Sequence, residues 1–195
     1  MNQKQSLTSD YFNAVYESNE DPWDFETSEY EAAKYVSTIA ALPNKHYESV
    51  LEVGCSIGVL TMLLAQHSTN LLAIDVSQKA LDIAARRCEK ISNITFKKAS
   101  FPKELPEQQF NLIMISEVAY YLTETDWQSA IGCLYARLPS GGHVVLVHWL
   151  PEVHDYPQTG DQVHDTFQKL MQHKMENIFS TRAESYRIDV WGKLC

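Results

Sequence analysis

An apolar run that stops at a glycine turn is the feature that most constrains how this chain can fold. The run is Val50–Val53, with an acid inside it; Gly54 follows directly, and Gly58 comes four residues later. A parallel strand that ends at such a turn directs the N-terminus of the next helix toward whatever binds there. A second apolar run, Leu71–Ile74, ends at Asp75, at a spacing that suits one βαβ unit. These features together predict a nucleotide-cofactor site.

Alternating apolar strands and helices extend from residue 49 through most of the remaining chain. Strand patterns lie at 49–53, 71–75, 94–97, 110–116 and 143–149, and helical patterns lie between them at 57–67, 77–90 and 124–138. This alternation predicts a parallel, doubly wound sheet. A helix at 161–176 and two closing strands at 178–181 and 186–191 follow, an ending that is not typical of a Rossmann dehydrogenase.

Length and composition predict one domain of 195 residues, without a linker of low complexity. The segment 1–46 precedes the first strand and is predicted to form a helical cap or lid on a core at 47–195. In this segment Ser28 is a candidate N-cap for a helix that runs to about Ala41, before Pro43. The lid is the expected place for substrate choice.

The charge and the apolar runs limit the partners that we expect. The formal net charge is −9, and no basic stripe is present, so a nucleic-acid partner is not expected. The N-terminus is polar, and no apolar run approaches the roughly 20 residues of a membrane helix. We therefore expect a cytoplasmic protein without membrane contact. The four cysteines lack zinc-ligand spacing, so no metal site is expected, and they are predicted to be reduced, mostly buried thiols: Cys55, Cys88, Cys133 and Cys195.

Several short motifs resemble those of the class I S-adenosylmethionine-dependent methyltransferases, and they follow one another in the same order along the chain. The glycine loop Glu52–Gly58, the acid Asp75 and the words Phe110–Ile113 and Ser116-Glu117 carry the resemblance. Within that superfamily, the chain is similar to the nodulation-factor N-methyltransferases of rhizobia, which methylate an amino group on a chitooligosaccharide with a deacetylated terminal sugar. The N-terminal residues that carry this similarity are Asp21, Pro22, Trp23, Phe25, Ser28, Tyr30 and Glu31.

The resemblance implies a Rossmann-like α/β fold with a seven-stranded, mostly parallel sheet, helices on both faces and a C-terminal antiparallel hairpin. It also implies S-adenosyl-L-methionine as cofactor and a small-molecule or oligosaccharide acceptor. The cofactor-binding residues that it implies are Trp23, Lys34, Glu52, Gly54, Cys55, Ser56, Gly58, Asp75, Val76, Ser100, Phe101, Ser116 and Glu117. One departure is visible, since Ser56 occupies a position where many methyltransferases have a glycine. A serine still permits close backbone approach, with a slightly different loop.

The expected reaction needs a neutral amine, because an ammonium ion has no lone pair to attack the methyl group. Glu117, after the fourth strand, is the first candidate to take or hold the amine proton, and His148 and His154 are the next candidates. Tyr30, Tyr120 and Tyr121 are the candidate substrate-binding residues, because an aromatic face covers apolar sugar surface and attracts positive charge.

Other interpretations of these patterns remain open. The glycines could make only a tight turn, Asp75 could only cap the next helix, and Lys34 could be a solvated helix lysine. Glu117 could only orient a loop, His154 could be solvated, and one of the two tyrosines could belong to the core. An NAD-dependent oxidoreductase also uses a glycine turn and an acid, but its Gly-x-Gly-x-x-Gly fingerprint is absent here. A non-catalytic cofactor-binding module is a third possibility. The sequence identifies neither the acceptor nor the oligomeric state.

Overall fold

The computed structural model describes residues 5–194. Within this range the chain forms six α-helices, seven β-strands and one short 3₁₀ helix, Ala119–Tyr121. The α-helices are α1 (Ser9–Ser18), α2 (Glu29–Ala40), α3 (Val59–Ala65), α4 (Gln78–Arg87), α5 (Glu124–Ala136) and α6 (Gly160–Met171). The strands are β1 (Tyr47–Val53), β2 (Ser68–Asp75), β3 (Ile94–Lys98), β4 (Leu112–Ser116), β5 (His143–Trp149), β6 (Met175–Arg182) and β7 (Tyr186–Lys193).

The strands form a seven-stranded sheet in the order β3-β2-β1-β4-β5-β7-β6. β1 pairs with β2, β2 with β3 and β4 with β5 in parallel, whereas β7 pairs antiparallel with both β5 and β6. This mixed, mostly parallel sheet with an antiparallel hairpin at its C-terminal side confirms the predicted fold class.

The described part of the chain divides into two compact units: the first unit is Thr8–Glu104, and the second unit comprises residues 105–194 together with residues 5–7. The prediction of a single domain, with a cap at 1–46, stays a prediction. Each unit contains its own group of predicted site residues, so the two are described separately.

In the first unit, the register of β1 and β2 places two strand ends side by side. Val53 is opposite Ile74, so the turn at Gly54 begins next to Asp75. Helix α2 begins as predicted, because the Ser28 side chain accepts a hydrogen bond from the Glu31 N–H. The predicted helix at 57–67 is shorter in the structure, since α3 covers only Val59–Ala65.

In the second unit, β5 lies between β4 and β7. Ser116 is opposite Val147 in the parallel pair, and Leu146 is opposite Asp189 in the antiparallel pair. The predicted helix at 161–176 is too long: α6 ends at Met171, and a turn leads into β6 at Met175. Met175 is buried and pairs with Lys193. Because the chain is already in a strand at Met175, the helix cannot extend to residue 176.

The cysteines differ in burial. Cys55 and Cys88 are buried free thiols, as predicted, but Cys133 is exposed on α5, and Cys195 lies outside the described residues. Between residues 5 and 194, none of the helices combines the length and the apolar character that a membrane crossing requires.

Candidate active site

The glycine loop of the first unit turns sharply after β1. The N–H groups of Gly54 and Cys55 both donate to the Ile74 carbonyl at the end of β2, at 2.8 and 3.0 Å. Gly54 and Gly58 adopt φ values of 73° and 84°, which favour glycine. A Cβ atom on Gly58 would lie 2.9 Å from the Cβ of Ala84 on α4, so this glycine also permits close helix packing.

Ser56, at the position where many methyltransferases have a glycine, is held by two partners. Its backbone has φ 51°, its hydroxyl accepts a 2.6 Å hydrogen bond from the Tyr16 hydroxyl, and its N–H donates to Asp75 Oδ2 at 2.9 Å. Burial, together with the Asp75 charge, raises the pKa of Tyr16 well above its usual value, so the phenol stays a donor. The serine therefore ties the loop to α1, a contact that the sequence pattern did not indicate.

Asp75 is a buried carboxylate that orders the backbone around it. Oδ1 accepts from the Ser77 N–H and Oδ2 from the Ser56 N–H, each at 2.9 Å. Burial raises the pKa of Asp75, and the backbone N–H groups of Ser77, Ser56 and Val76 oppose that rise. A carboxylate offers about four lone-pair positions, so these contacts leave acceptor capacity for a ribose. That ribose contact stays a prediction.

Glu52 lies inside the unit, with an exposed fraction of 2%. Its Oε2 and the neighbouring Thr61 hydroxyl are buried, and neither forms a hydrogen bond of good geometry with any of the described residues. Burial raises the pKa of Glu52 to about 8; the Asp75 charge adds to the rise, and Thr61 opposes it. A buried acid with an unsatisfied oxygen is suited to a cationic or hydrogen-bond-donating group.

Lys34 is neither solvated nor exposed, so the interpretation as a surface lysine is wrong. Its exposed fraction is 1%, its ammonium pairs with Glu31 one turn earlier at 2.9 Å, and it lies 5.4 Å from the centroid of the Tyr30 ring. In this conformation the charge of Lys34 is compensated within α2. Its predicted contact with a cofactor carboxylate stays a prediction.

The remaining predicted cofactor residues of the first unit lie around the same loop or after β3. Trp23 stacks on Phe25 with ring centroids 5.6 Å apart and meets Tyr16 edge-on at 5.7 Å. The Ser100 N–H donates to Glu104, and Phe101, like Val76, is partly buried. Cys55 is buried in the loop itself. Trp23 is thereby fixed near the residue that holds Ser56.

Glu117 in the second unit follows Ser116, the last residue of β4. Its φ is 57°, and its Oε2 accepts from the Tyr120 hydroxyl at 2.6 Å and from the Trp149 N–H at 2.9 Å. Burial and the charge of Glu117 raise the pKa of Tyr120 well above its usual value, so Tyr120 donates at neutral pH. Glu117 is thus a carboxylate oriented by two donors at the carboxyl end of parallel strands, where open α/β sheets bind ligands.

Three tyrosines pack together beside Glu117. Tyr120 and Tyr121 are both buried, at 5% and 8% exposure, although the sequence suggested a core position for only one. Tyr156, which sequence reasoning missed, stacks on Tyr120 at 5.0 Å and meets Tyr121 edge-on at 4.8 Å. From the sequence, the run from Leu150 to Gly160, with Pro151 and Pro157, is either a wall of the acceptor cleft or only a surface connection, and neither interpretation singles out Tyr156.

The two candidate histidines lie in different surroundings. His148 is fully buried; its Nε2 accepts from the Ala119 N–H at 3.1 Å, and its Nδ1 lies 3.1 Å from Nε2 of His164. The side chain of His154 is 99% exposed and lies against Asp155. Glu117 and His148 are thus both held by hydrogen bonds within the unit, whereas His154 lies at the surface. Their catalytic roles stay predictions.

A family model described as Nodulation protein S (NodS) matches residues 11–148. The chain belongs to the NodS family. The similarity inferred from the sequence is confirmed, and the NAD-dependent alternative is not favoured.

Nodulation protein S of Rhizobium tropici is 33% identical over 129 residues, or 65% of this chain and 54% of the relative. The protein of the same name from Sinorhizobium fredii is 30% identical over 65% of this chain and 60% of the relative. The chain thus spans little more than half of these relatives.

Solved structures give the same fold. One of them is N-methyltransferase NodS from Bradyrhizobium japonicum WM9 in complex with S-adenosyl-L-homocysteine, with a TM-score of 0.84 at 21% identity. The match covers 96% of this chain and 99% of the B. japonicum chain. A provisionally assigned methyltransferase from Pseudomonas syringae has a TM-score of 0.75 at 30% identity, over 85% of this chain and 100% of its own. The NodS-like fold therefore extends beyond the 129 residues aligned by sequence.

Proposed function

We propose that this chain is an S-adenosylmethionine-dependent methyltransferase that methylates an amine nitrogen. The observation that carries the proposal is the pair of buried acids, Glu52 and Asp75, on either side of the glycine loop in a chain of the NodS family. The B. japonicum relative, named an N-methyltransferase and bound to S-adenosyl-L-homocysteine, supports both the donor and the nitrogen acceptor.

The residues of the first unit fit this cofactor. The unsatisfied Glu52 Oε2 suits the ammonium of the methionine part, and the unused acceptor positions of Asp75 suit the ribose hydroxyls. Gly54 and Gly58 keep side chains away from the turn, so a ligand can approach the backbone. When bound, S-adenosylmethionine supplies an electrophilic methyl group on a sulfonium.

Glu117 is the residue that we assign to the acceptor amine. Its carboxylate is fixed by the Tyr120 hydroxyl and the Trp149 N–H, so it can accept an N–H hydrogen bond without first reorganising. In that position it aligns the amine lone pair and takes the proton that the methylated nitrogen releases. Alignment of the reacting atoms supplies much of the acceleration in such displacements.

The acceptor that we propose is a small molecule or oligosaccharide with a free amino group, such as a deacetylated chitooligosaccharide. The Tyr120–Tyr121–Tyr156 group supports this assignment, because aromatic rings provide apolar surface for a sugar. Roles for Tyr30 and the other cap residues in acceptor choice are part of the same proposal. The absence of a nucleic-acid partner and the cytoplasmic location stay predictions.

Cofactor binding is tested by isothermal titration of S-adenosyl-L-homocysteine. We expect binding by the unmodified protein and a loss of at least about tenfold in affinity for Asp75→Ala, since ligand and loop share that carboxylate. Asp82→Ala on α4 is the matched control, because Asp82 is exposed and accepts a hydrogen bond from Gln78 of its own helix. If neither S-adenosylmethionine nor S-adenosyl-L-homocysteine gave a heat of binding, the proposal would be contradicted.

The acceptor is tested with donor labelled in the methyl group and a chitooligosaccharide deacetylated at its terminal sugar. The fully N-acetylated oligosaccharide of the same length is the control, since its amide nitrogens have no basic lone pair. We expect label on the deacetylated oligosaccharide and none on the fully N-acetylated control. Label on a different amine would retain the reaction and remove the carbohydrate, whereas cofactor binding without any transfer would favour a binding module.

A further inference from the structure

A line of buried polar side chains crosses the second unit beneath the β4 loop, which we define as Glu117–Leu122. His148, His164 and Asp189 are each 0% exposed. His148 Nδ1 lies 3.1 Å from His164 Nε2, and His164 Nδ1 lies 2.8 Å from Asp189 Oδ2. The line joins β5, α6 and β7, and its remaining nitrogen, His148 Nε2, faces the Ala119 N–H of the β4 loop at 3.1 Å.

The hydrogen-bond partners determine the tautomer of both imidazoles. A backbone N–H can only donate, so His148 Nε2 has no proton, and a neutral His148 carries its proton on Nδ1. That proton points to His164 Nε2, which must accept, so His164 carries its proton on Nδ1 and donates to Asp189. Each link permits only one arrangement of the next. An ionised Asp189 therefore determines, through His164, that His148 Nε2 is an acceptor for the Ala119 N–H of the β4 loop.

The Asp189 end of the line is charged and well supported. Asp189 accepts from the Ser180 hydroxyl and pairs with Arg187 at 2.9 Å. Burial alone would raise the pKa of Asp189, but hydrogen bonds from His164 and Ser180 and the Arg187 charge lower it overall. Burial lowers the pKa of His164 against the opposing effect of Asp189, so this imidazole is neutral at pH 7. The negative charge is therefore placed on Asp189, away from the loop.

The loop end of the line lies beside the proposed catalytic group. Glu117 and Ala119 are two residues apart, and Tyr120, which donates to Glu117, also contacts the His148 ring edge-on at 5.2 Å. The left-handed φ of 57° at Glu117 is a conformation that surrounding contacts must enforce. The His148 acceptor is one such contact within the same turn.

We propose that His164 and Asp189 are positioning residues for methyl transfer, which act through His148 to hold the β4 loop and hence Glu117 in its reactive position. The inference rests on the proposed role of Glu117. It assigns no proton transfer to the line, because the lone pair of His148 Nε2 is already engaged by the Ala119 N–H. Orientation is therefore the function that the geometry supports.

The first test measures the tautomers in the unmodified protein, so it needs no substitution that could impair folding. Long-range ¹H–¹⁵N NMR spectra of the ¹⁵N-histidine-labelled protein at pH 7 distinguish the Nδ1–H form, the Nε2–H form and the imidazolium. We expect His148 and His164 both to be neutral Nδ1–H tautomers. An Nε2–H tautomer or an imidazolium at His148 would overturn the inference.

The second test separates positioning from folding and from donor binding. In Asp189→Asn we expect kcat for methyl transfer to fall about tenfold or more, as for other residues that orient a functional group indirectly. The affinity for S-adenosyl-L-homocysteine and the KM of the acceptor should stay within about threefold. Glu176→Gln is the matched control, since Glu176 is an exposed acid on β6, the strand that pairs with β7, and it lies outside the line.

The outcomes separate the two proposals. An unmodified protein that binds donor but labels no acceptor overturns the proposed function and the inference with it. An active unmodified protein whose Asp189→Asn variant keeps its kcat overturns only the inference. If Asp189→Asn does not fold, Ser180→Ala provides the second variant, because it removes a donor to Asp189 and leaves His148 and His164 in place. A kcat for Ser180→Ala equal to that of the unmodified protein would then count against the inference.

Discussion

At the residue scale, the left-handed backbone positions occupied by residues other than glycine stand out. Within residues 5–194 these are Asp24, Ser56 and Glu117, with φ between 51° and 57°. Such conformations cost of order 1–3 kcal/mol and persist only where the surroundings enforce them. Ser56 is held by Tyr16 and Asp75, and Glu117 is held by Tyr120 and Trp149. Two of the three are thus predicted site residues with a dedicated set of side-chain contacts.

Replacing Glu117 with glutamine tests its proposed role as acceptor of the amine proton. We expect kcat for methyl transfer to fall about 10²-fold or more in Glu117→Gln, since glutamine keeps the shape but cannot take a proton. The affinity for S-adenosyl-L-homocysteine should change less than about twofold. Glu124→Gln on α5 is the control, an exposed glutamate in the first turn of that helix. Equal kcat values in both variants would contradict the assignment.

Gly58 is the position where added bulk should be least tolerated. In Gly58→Ala, the new Cβ would meet Ala84 at 2.9 Å, and the φ of 84° would be strained, so we expect a loss of about 2 kcal/mol in the free energy of unfolding. Gly132→Ala on α5 is the control, because nothing lies within 4 Å of its added Cβ. It should stabilise the protein by up to about 1 kcal/mol. Urea denaturation measures both, and equal midpoints would argue against the close packing at Gly58.

At the element scale, α6 matters because it carries His164 between β5 and β7. It begins with a capping box in which the Thr159 side chain accepts from the Gln162 N–H while the Gln162 side chain accepts from the Thr159 N–H. This start fixes the helical phase that turns His164 inward. The length of the helix is limited at its other end by the pairing of Met175 in β6.

The contribution of this cap can be measured. We expect Thr159→Ala to lose about 1 kcal/mol in the free energy of unfolding, since it removes a side-chain acceptor from the first turn. Thr8→Ala is the matched control, because Thr8 is the N-cap of α1 but makes no side-chain cap hydrogen bond. It should lose clearly less. Similar losses at the two positions in urea denaturation would show that Thr159 acts through something other than its cap.

Elements and strand ends could be predicted from the sequence because their signals are local. Gly54 and Asp75 each end an apolar run, and the sheet register brings the two ends together. The contacts of Tyr16 with Ser56 and of His164 with Asp189 could not be predicted, since they join residues 40 and 25 positions apart on different elements. The helical spacing of Val163, Phe167 and Met171 places His164 on the buried face of α6. The pattern does not show which strand residue His164 meets there, because that depends on the order in which the strands pair.

At the scale of the whole molecule, Glu52 makes stability depend on pH. Its pKa is about 8 in the folded state, against 4.5 for an exposed glutamate. Between these values the folded protein keeps a proton that the unfolded chain has released. The contribution of Glu52 to stability is therefore full below about pH 4.5, decreases steadily as the pH rises toward 8, and is constant above that value.

A Glu52→Gln variant should lack this dependence. From pH 5 to pH 8, we expect its free energy of unfolding to rise relative to that of the unmodified protein, because glutamine remains neutral throughout. Urea denaturation at each pH unit measures the difference, and other titrating groups cancel in the comparison. Glu48→Gln on the same strand is the control, since Glu48 is exposed. Parallel profiles for Glu52→Gln and the unmodified protein would show that Glu52 is ionised at neutral pH.

The strand order β5-β7-β6 has a consequence for how the protein is made. β6 leaves the ribosome before β7, but in the sheet it contacts β5 only through β7. During synthesis β6 therefore has no strand to pair with until β7 emerges, and the edge of β5 remains unpaired until then. Asp189 is carried on β7, so the carboxylate that orders both buried imidazoles arrives with the strand that closes this edge. His164 can therefore gain its Asp189 partner only in a chain whose sheet includes β7.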